Sequence, residues 1–598
     1  MEFMSDPEVC DGCGQCVISC REALGGPEGT SPGIQIVAIG DRHIPIICHN
    51  CEEAPCVSGC MPGCRHRDEA TGRIVTDYER CVGCWMCVML CPFGAIQRVP
   101  TQEGAHFGVA LKCDSCLDKQ IVPCIAACKP GGVEGSGPSR PGTREKGKGR
   151  QTVSGAFRCG IDAQIWSGRP ECLRGVGNAL CDDRQLVCLY RRGRGDTAGG
   201  QGKSDYGDFG RTLPVLRQAP DHLLAWRRSE DGAYVLSSIR LLRKNKITAL
   251  TGKEAVAIDF KNKSVSLAGG EQVAYDKLLI ATGGKPFVPP IKGLTPEVKN
   301  VHNFTKWDDA KALAKLSKEG KKAVVIGGGL IGLKASEGLN DIGVDTTIVE
   351  LGPRVLAIAL DEYSGKIASK RLNDNGIKTI TGTTAQEILV NQNNEVAGVV
   401  LNDGSELECG ILVVAIGVRP NIGLVKDSAI KLERGIVTDE TMQTSVPDVY
   451  AAGDVVQSVN ILTGKQEVIA IVPTAYEQGR IAGFNMAGRP SRYKGEIGMN
   501  SVEIYGLPIM SMGQTNAVDE KQKEEIFQEN DIYRKYVFED NRLVGALLMG
   551  NVDYGGVLTH LIRSRRSISP MMMDWLLKGD TLALSAFIIA ESSQAAKR

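Results

Sequence analysis

Four groups of four cysteines within the first 128 residues restrict this chain more than anything else in it. The groups are Cys10, Cys13, Cys16, Cys20; Cys48, Cys51, Cys56, Cys60; Cys81, Cys84, Cys87, Cys91; and Cys113, Cys116, Cys124, Cys128. Of 22 cysteines in 598 residues, 17 precede residue 130. In an exported chain such density means disulfides, and in an unexported one it means metal ligation. The start, MEFMSDPEVC, is acidic and unlike a signal peptide, and no apolar run approaches the roughly 20 residues that span a bilayer. Lys plus Arg and Asp plus Glu are 70 each, without the positive excess that nucleic acid or an anionic membrane surface demands. The expectation is a cytoplasmic metalloprotein with no membrane span and no nucleic-acid partner.

The spacing names the metal. The first and third groups are C-x2-C-x2-C-x3-C, and Pro92 follows the third. That run holds cubane iron–sulfur clusters: three thiolates from one loop cap one cluster, and the fourth reaches a neighbouring one. Gly12, Gly14 and Gly83 between ligands let backbone amides turn toward the sulfurs. Zinc also takes four cysteines, but it does not explain a third and fourth ligand always spaced by three. Four [4Fe–4S] clusters are expected. Residues 1–128 resemble the four-cluster ferredoxin-like subunits that accompany carbon monoxide dehydrogenases, formate dehydrogenases and molybdopterin oxidoreductases. The resemblance implies shared ligation: Cys10, Cys13, Cys16 with Cys128; Cys113, Cys116, Cys124 with Cys20; Cys48, Cys51, Cys56 with Cys91; Cys81, Cys84, Cys87 with Cys60. Cys64 falls outside the register and reads as a plain buried thiol.

A second chemistry begins at 323. AVVIGGGLIGLKASE runs from an apolar strand through Gly327-x-Gly329-x-x-Gly332 into a helical pattern, and Glu350 closes the next strand, TTIVE. Strand, glycine turn, helix and acid at this spacing form a dinucleotide fingerprint, and the acid accepts from a ribose 2′-OH, favouring NAD over NADP. A glycine-rich turn in some other α/β protein is the plainer alternative. Three more apolar strands end in small-residue turns: YDKLLIATGGKP (275–286), LVVAIGVRPN (412–421) and VYAAGDV (449–455).

In this order the motifs resemble the pyridine nucleotide-disulfide oxidoreductase superfamily, with its NADH oxidases, rubredoxin reductases and nitrite-reductase-like members. The resemblance covers roughly 239–598. It implies that Ala281, Thr282 and Gly283 cross between FAD and NAD folds, that Gly417 lies by the nicotinamide, and that Gly453 and Asp454 meet the flavin's ribityl–phosphate region. It also places Val256 by the adenine and PTAYEQGRIAG (473–483) under the flavin. Two departures stand out: Lys334 occupies a position where the family carries an acid, and no FAD fingerprint is recognisable. The nearest, Gly175-Val176-Gly177, lacks both a preceding apolar strand and a third glycine.

The expected fold class is therefore an α+β double ferredoxin-like iron–sulfur domain, an α/β two-dinucleotide-binding-domain flavoprotein reductase with a partly degenerate FAD half, and an α+β C-terminal interface domain. The expected segments are 1–128 for the clusters, 129–238, 239–320 for the remaining FAD domain, 321–400 for NAD, 401–490 returning to the NAD/FAD folds, and 491–598 for dimerisation. The Gly- and Arg-rich stretch 129–238 reads either as a solvated linker or as sequence out of frame. The functional expectation is electron transfer between the clusters and NAD(H) through FAD, linked to a low-potential enzyme such as carbon monoxide dehydrogenase or to a ferredoxin/rubredoxin-type carrier, in a homodimer. Two other readings are an NADH-dependent reductase of rubredoxin, oxygen or peroxide, and a flavin-less electron carrier with an inactive reductase half. No catalytic residue is assigned, and Cys409 reads as packing.

Overall fold

The computed structural model describes residues 3–5, 9–24, 33–68, 70–100, 108–113, 116, 122–129, 133–135, 176–182, 185–191, 247–317, 321–580 and 582–589. The chain divides into two compact units, Met1–Pro170 with Asn500–Arg598, and Glu171–Met499. Most of 129–238, with Gly175 of the expected fingerprint, lies outside the described residues. No described helix is long and apolar enough to cross a membrane.

In the first unit the cysteine region is made of short pieces. Antiparallel hairpins pair Ile34–Ile39 with Arg42–Ile47, Arg65–Arg67 with Ile74–Thr76, and Ile96–Pro100 with Gly108–Lys112. Four short helices, Gln15–Leu24, Pro55–Ser58, Met86–Leu90 and Pro123–Ala127, follow the four cysteine loops. Alternation sets the hairpin faces, and Ile34, Ile44, Ile47 and Ile74 are at most 1% exposed. Such short elements bury little apolar area, so cysteines form much of this core.

The C-terminal part of the same unit is a five-stranded sheet in the order Met499–Ile504, Leu507–Gly513, Arg542–Met549, Ile532–Glu539, Gln522–Glu529. Helices Gly555–Ser564 and Pro570–Lys578 and the helix 582–589 complete it. Gly555–Ser564 packs on Met86–Leu90 so closely that a Cβ on Gly556 would stand 2.2 Å from the Cys91 carbonyl oxygen. The Trp85 indole N–H donates to Glu503 Oε2 at 2.7 Å, Arg98 Nη2 pairs with the same oxygen at 3.1 Å, and the guanidinium lies 4.7 Å over the indole ring. Ser585 Oγ donates to the Phe93 carbonyl and Tyr554 Oη to Gln35 Oε1. One face of the domain expected to dimerise is thus covered within the chain by the cysteine region.

The second unit holds two sheets. One is parallel throughout, in the order Val301–His302, Ile411–Val414, Ala323–Ile326, Thr346–Glu350, Lys378–Thr381. Its central strands are buried along their whole length, as a sheet covered on both faces requires. The other runs Thr248–Thr251, Val176–Asp182, Gln185–Arg191, Lys277–Ala281, Val449–Ala451. Four of its strands point one way, and Gln185–Arg191 is reversed. The stretch read as irregular from its composition therefore contributes a β-hairpin to this sheet, and Val176 and Gly177 lie in a strand rather than a turn. Three-stranded antiparallel flaps, Ala255–Asp259, Ser264–Leu267, Gln272–Ala274 and Ala385–Val390, Val396–Leu401, Glu406–Glu408, accompany the two sheets.

Glu503 is 3% exposed and serves both Trp85 and Arg98. Removing one partner of a buried ion pair strands the other, at a cost of about 3 kcal/mol or more. Glu503→Ala should lower the thermal midpoint of the first unit and open the Trp85 segment to limited proteolysis, whereas Glu529→Ala on an exposed strand end should do neither.

Candidate functional site

In each cysteine group the first two ligands lie on a loop and the third on the following short helix, with the fourth four residues later. Cys16 and Cys20 share Gln15–Leu24, Cys56 lies in Pro55–Ser58, Cys87 in Met86–Leu90 and Cys124 in Pro123–Ala127, and Cys91 and Cys128 cap the last two. Four residues along a helix carry a side chain about 6 Å further on, which separates the fourth sulfur from its own loop.

Sulfurs of different groups stand close enough to interact. Cys10 and Cys16 feel the charge of Cys128 and Cys13. Cys124 neighbours Cys20, Cys116 and Cys16. Cys48, Cys51, Cys56 and Cys91 line one cavity whose other walls include Pro55, Ile74, Pro92, Phe93 and Ile96. Cys84 and Cys87 neighbour Cys60 and Cys81. Burial, then mutual repulsion, pushes the Cys16 thiol up to about 11 and Cys124 to about 12; burial pushes Cys87 up to about 12 against the opposing charge of Arg65. Sulfurs so crowded and so dry ionise together only around a cation, which is the chemistry of a thiolate-ligated cluster. The donor sets fit cubane iron–sulfur groups.

Cys64 is not set apart from these sulfurs. It is 3% exposed, and its sulfur is 3.4 Å from Cys60 Sγ. Hydrogen bonds with Cys60 and Cys81 hold its thiol protonated, and the bond from its S–H pulls Cys81 below the usual thiol range. Spacing gave no hint of this contact. Arg65 and Lys112, each 2% exposed, are the other charged residues buried among the ligands that spacing could not reveal.

In the parallel sheet each fingerprint glycine meets a different demand. Gly327 has φ +109°, and a Cβ there would meet the Ala415 carbonyl. Gly329, the residue before helix Leu330–Asp341, faces open space, as a phosphate approach needs. A Cβ on Gly332 would lie 1.9 Å from the Gly327 carbonyl oxygen, so only glycine lets this helix meet its strand. Glu350 ends Thr346–Glu350 and accepts from the Gly328 N–H at 2.5 Å and the Gly352 N–H at 2.6 Å. Gly417 follows the adjacent strand at the same edge and accepts from the Phe287 N–H. Lys334 is paired within its helix to Glu337 at 2.6 Å, both largely buried.

At the carboxyl edge of the second sheet, Ala281 ends its strand and Thr282, Gly283, Gly453 and Asp454 come together. Thr282 Oγ1 donates to the Asn421 carbonyl, and the Asn421 N–H donates to the Gly283 carbonyl, tying the two sheets' crossover segments. Gln478, fully buried on helix Val472–Met486, accepts from the Gly453 N–H at 2.8 Å, a contact the sequence reading missed. Burial holds the Asp454 carboxyl above the usual range. Val256 lies apart, half exposed on its flap. Next to Ala281 sits Leu186, near the closed end of the β-hairpin. Among the described residues this sheet has no strand–glycine turn–helix.

Comparison with known proteins agrees with this geometry. A family model described as pyridine nucleotide-disulphide oxidoreductase matches residues 200–479, reaching further toward the N-terminus than the motifs did. The rubredoxin NAD+ reductase C-terminal domain matches 499–566, and the 4Fe-4S binding domain matches 74–97, the stretch with Cys81, Cys84, Cys87 and Cys91. The nitrite reductase [NAD(P)H] of Bacillus subtilis (strain 168) is 33% identical over 54% of this chain and 40% of its own length. The NADH-dependent phenylglyoxylate dehydrogenase subunit epsilon of Aromatoleum evansii is 32% identical over 55% of this chain and 78% of its own. Among solved structures, the NAD-dependent persulfide reductase from A. fulgidus superposes with a TM-score of 0.52 at 29% identity, covering 57% of this chain and 66% of that one. The chain spans only about two fifths of the nitrite reductases of Bacillus subtilis and Escherichia coli. With the FAD- and NAD(H)-binding folds, a 4Fe-4S segment before them and a rubredoxin-reductase domain after them, the chain belongs to the pyridine nucleotide-disulphide oxidoreductase family.

Proposed function

We propose that this chain is an NAD(H)-linked oxidoreductase that passes electrons between four [4Fe–4S] clusters and the nicotinamide through FAD. The observation that carries the reading is that sulfurs of different groups stand as neighbours: Cys10 and Cys16 with Cys128, Cys124 with Cys20, Cys56 with Cys91, and Cys87 with Cys60. The ligand sets are Cys10, Cys13, Cys16, Cys128; Cys20, Cys113, Cys116, Cys124; Cys48, Cys51, Cys56, Cys91; and Cys60, Cys81, Cys84, Cys87. A bound FAD supplies the exchange between one-electron and hydride chemistry. The chain's own part is to bind and orient: Gly329 admits the pyrophosphate, Glu350 accepts from the adenosine ribose, and Thr282, Gly283, Gly453 and Asp454 border the flavin. The electron donor or acceptor is a low-potential redox enzyme, with carbon monoxide dehydrogenase the candidate from resemblance, or a rubredoxin-type carrier. Dimerisation would use surfaces of the C-terminal domain other than the one facing Met86–Leu90.

A second reading rests on the β-hairpin beside Ala281, where the fold otherwise places the FAD pyrophosphate loop. In that case the chain relays electrons through its clusters and binds NAD(H), but holds no flavin. Anaerobic purification followed by iron and flavin analysis separates the two. About sixteen irons with one FAD per chain, and clusters that bleach on adding NADH, is the expected outcome. Sixteen irons without flavin and without NADH bleaching would establish the second reading, and substoichiometric iron would sink both.

Glu350→Gln removes the charged acceptor at the ribose. A hydrogen bond to a charged group is worth about 1.5–3 kcal/mol, so kcat/KM for NADH should fall about tenfold or more while NADPH use changes little. Iron content should stay unchanged. Equal losses with both nucleotides would take Glu350 away from the 2′-OH.

A further inference from the structure

We propose that Arg65 is a shared counter-charge for two clusters, raising the reduction potentials of both. The inference rests on the four-cluster reading and concerns the cluster of Cys48, Cys51, Cys56 and Cys91 and that of Cys60, Cys81, Cys84 and Cys87.

Arg65 opens the strand Arg65–Arg67 and is 2% exposed. Its backbone N–H donates to Cys60 Sγ at 3.3 Å, which fixes the residue against one ligand set. Its Nη2 donates to the Ala110 carbonyl at 2.7 Å, so a neutral oxygen holds one end of the fork. Nε and Nη1 are buried with no hydrogen-bond partner, and no carboxylate pairs with the guanidinium among the described residues. A buried, unpaired guanidinium is costly unless some other negative charge faces it. The groups whose negative charge it feels are sulfurs from both sets, Cys56 and Cys91 of one and Cys60, Cys81 and Cys87 of the other, with the Tyr78 phenol beside them. Lys112, which donates to the Cys113 carbonyl, adds a second buried cation near Cys56.

A cluster with four thiolates is already anionic, and each electron it takes adds one negative charge. Net charge and surroundings set the potential of such clusters. A fixed cation in a dry site favours the reduced form of whichever cluster it faces, and one placed between two clusters favours both. Arg65 thereby raises the two potentials together, so these two clusters take up electrons more readily than they would without it. Guanidinium suits the task because it keeps its charge when buried, whereas a lysine loses its proton readily.

The test is a dithionite titration of the anaerobically purified full-length protein, followed by electron paramagnetic resonance. Arg65→Gln keeps a donor for the Ala110 carbonyl and removes the charge. With iron content at the wild-type level, two of the four signals should need a more reducing solution, by at least about tenfold in the reduction equilibrium, or 59 mV for one electron. The other two signals should stay in place. Full iron with all four potentials unmoved overturns the proposal, as does an equal shift of all four. If Arg65→Gln loses iron, Arg65→Lys decides through its pH dependence: full iron, with the same two potentials near wild type at low pH and falling as the buried lysine loses its proton, supports the charge, and full iron with those two potentials lowered equally at every pH overturns it. Wild-type protein holding fewer than about sixteen irons refutes the four-cluster reading itself, a failure visible before any potential is measured.

Discussion

Negative charge cannot be buried without an answering positive charge, and the N-terminal region is arranged around that constraint. Its helices run one to three turns and its hairpins three to six residues a strand, too little to make a core from aliphatic side chains alone. Cysteines fill the interior instead, and burial pushes their thiols far above neutrality. Neutral thiols would leave the loops untied. Ligation converts the same crowding into cross-links between segments distant in sequence, so that metal binding and folding become one event. Arg65 and Lys112 answer what negative charge the metal does not.

The reductase unit solves a different problem, the close approach of backbone to a dinucleotide, and solves it differently in its two sheets. In the parallel sheet the fingerprint glycines 327, 329 and 332 are dictated by carbonyl oxygens that would strike a Cβ at 327 and 332 and by open space at 329. Glu350 meanwhile occupies itself with two backbone N–H groups of its own loop, which holds its carboxylate in position at the sheet edge. In the other sheet a hairpin keeps the hydrogen-bond ladder continuous from Thr248–Thr251 to Lys277–Ala281, and at its carboxyl edge Gln478 holds the Gly453 N–H.

The cysteine groups and the strand–glycine–helix at 323–341 were legible in the sequence because each is a local rule, written in spacing. What escaped was decided across distance. Trp85 and Glu503 are 418 residues apart, and nothing in either neighbourhood announces the other. Nothing in the sequence around Arg65 marks it, and the Ala110 carbonyl and the sulfurs of two groups meet it only in the fold. Cys64 was set aside for lacking a register, although the turn after Cys60 brings it back against that sulfur. Lys334 looked anomalous against the family pattern, and its partner Glu337 lies one helical turn away, an i,i+3 pair that could have been read. The hairpin at 176–191 was hidden by its surroundings: glycine and arginine around it suggested a chain with nothing to bury, and the apolar run LVCLY within 185–191 was too short to overrule them.

The first unit is assembled from the two ends of the chain, with some 330 residues of reductase between Pro170 and Asn500. A ribosome adding about 5–20 residues per second therefore completes the cysteine region roughly twenty seconds to a minute before the strand bearing Glu503 and the helix bearing Gly556 emerge. During that interval Trp85, held at φ +57° in a backbone region that bulky residues avoid, has neither its carboxylate nor its cover. Iron delivery to the nascent chain thus meets a half-finished surface, and whatever inserts the metal has an open flank to work through that the finished protein closes.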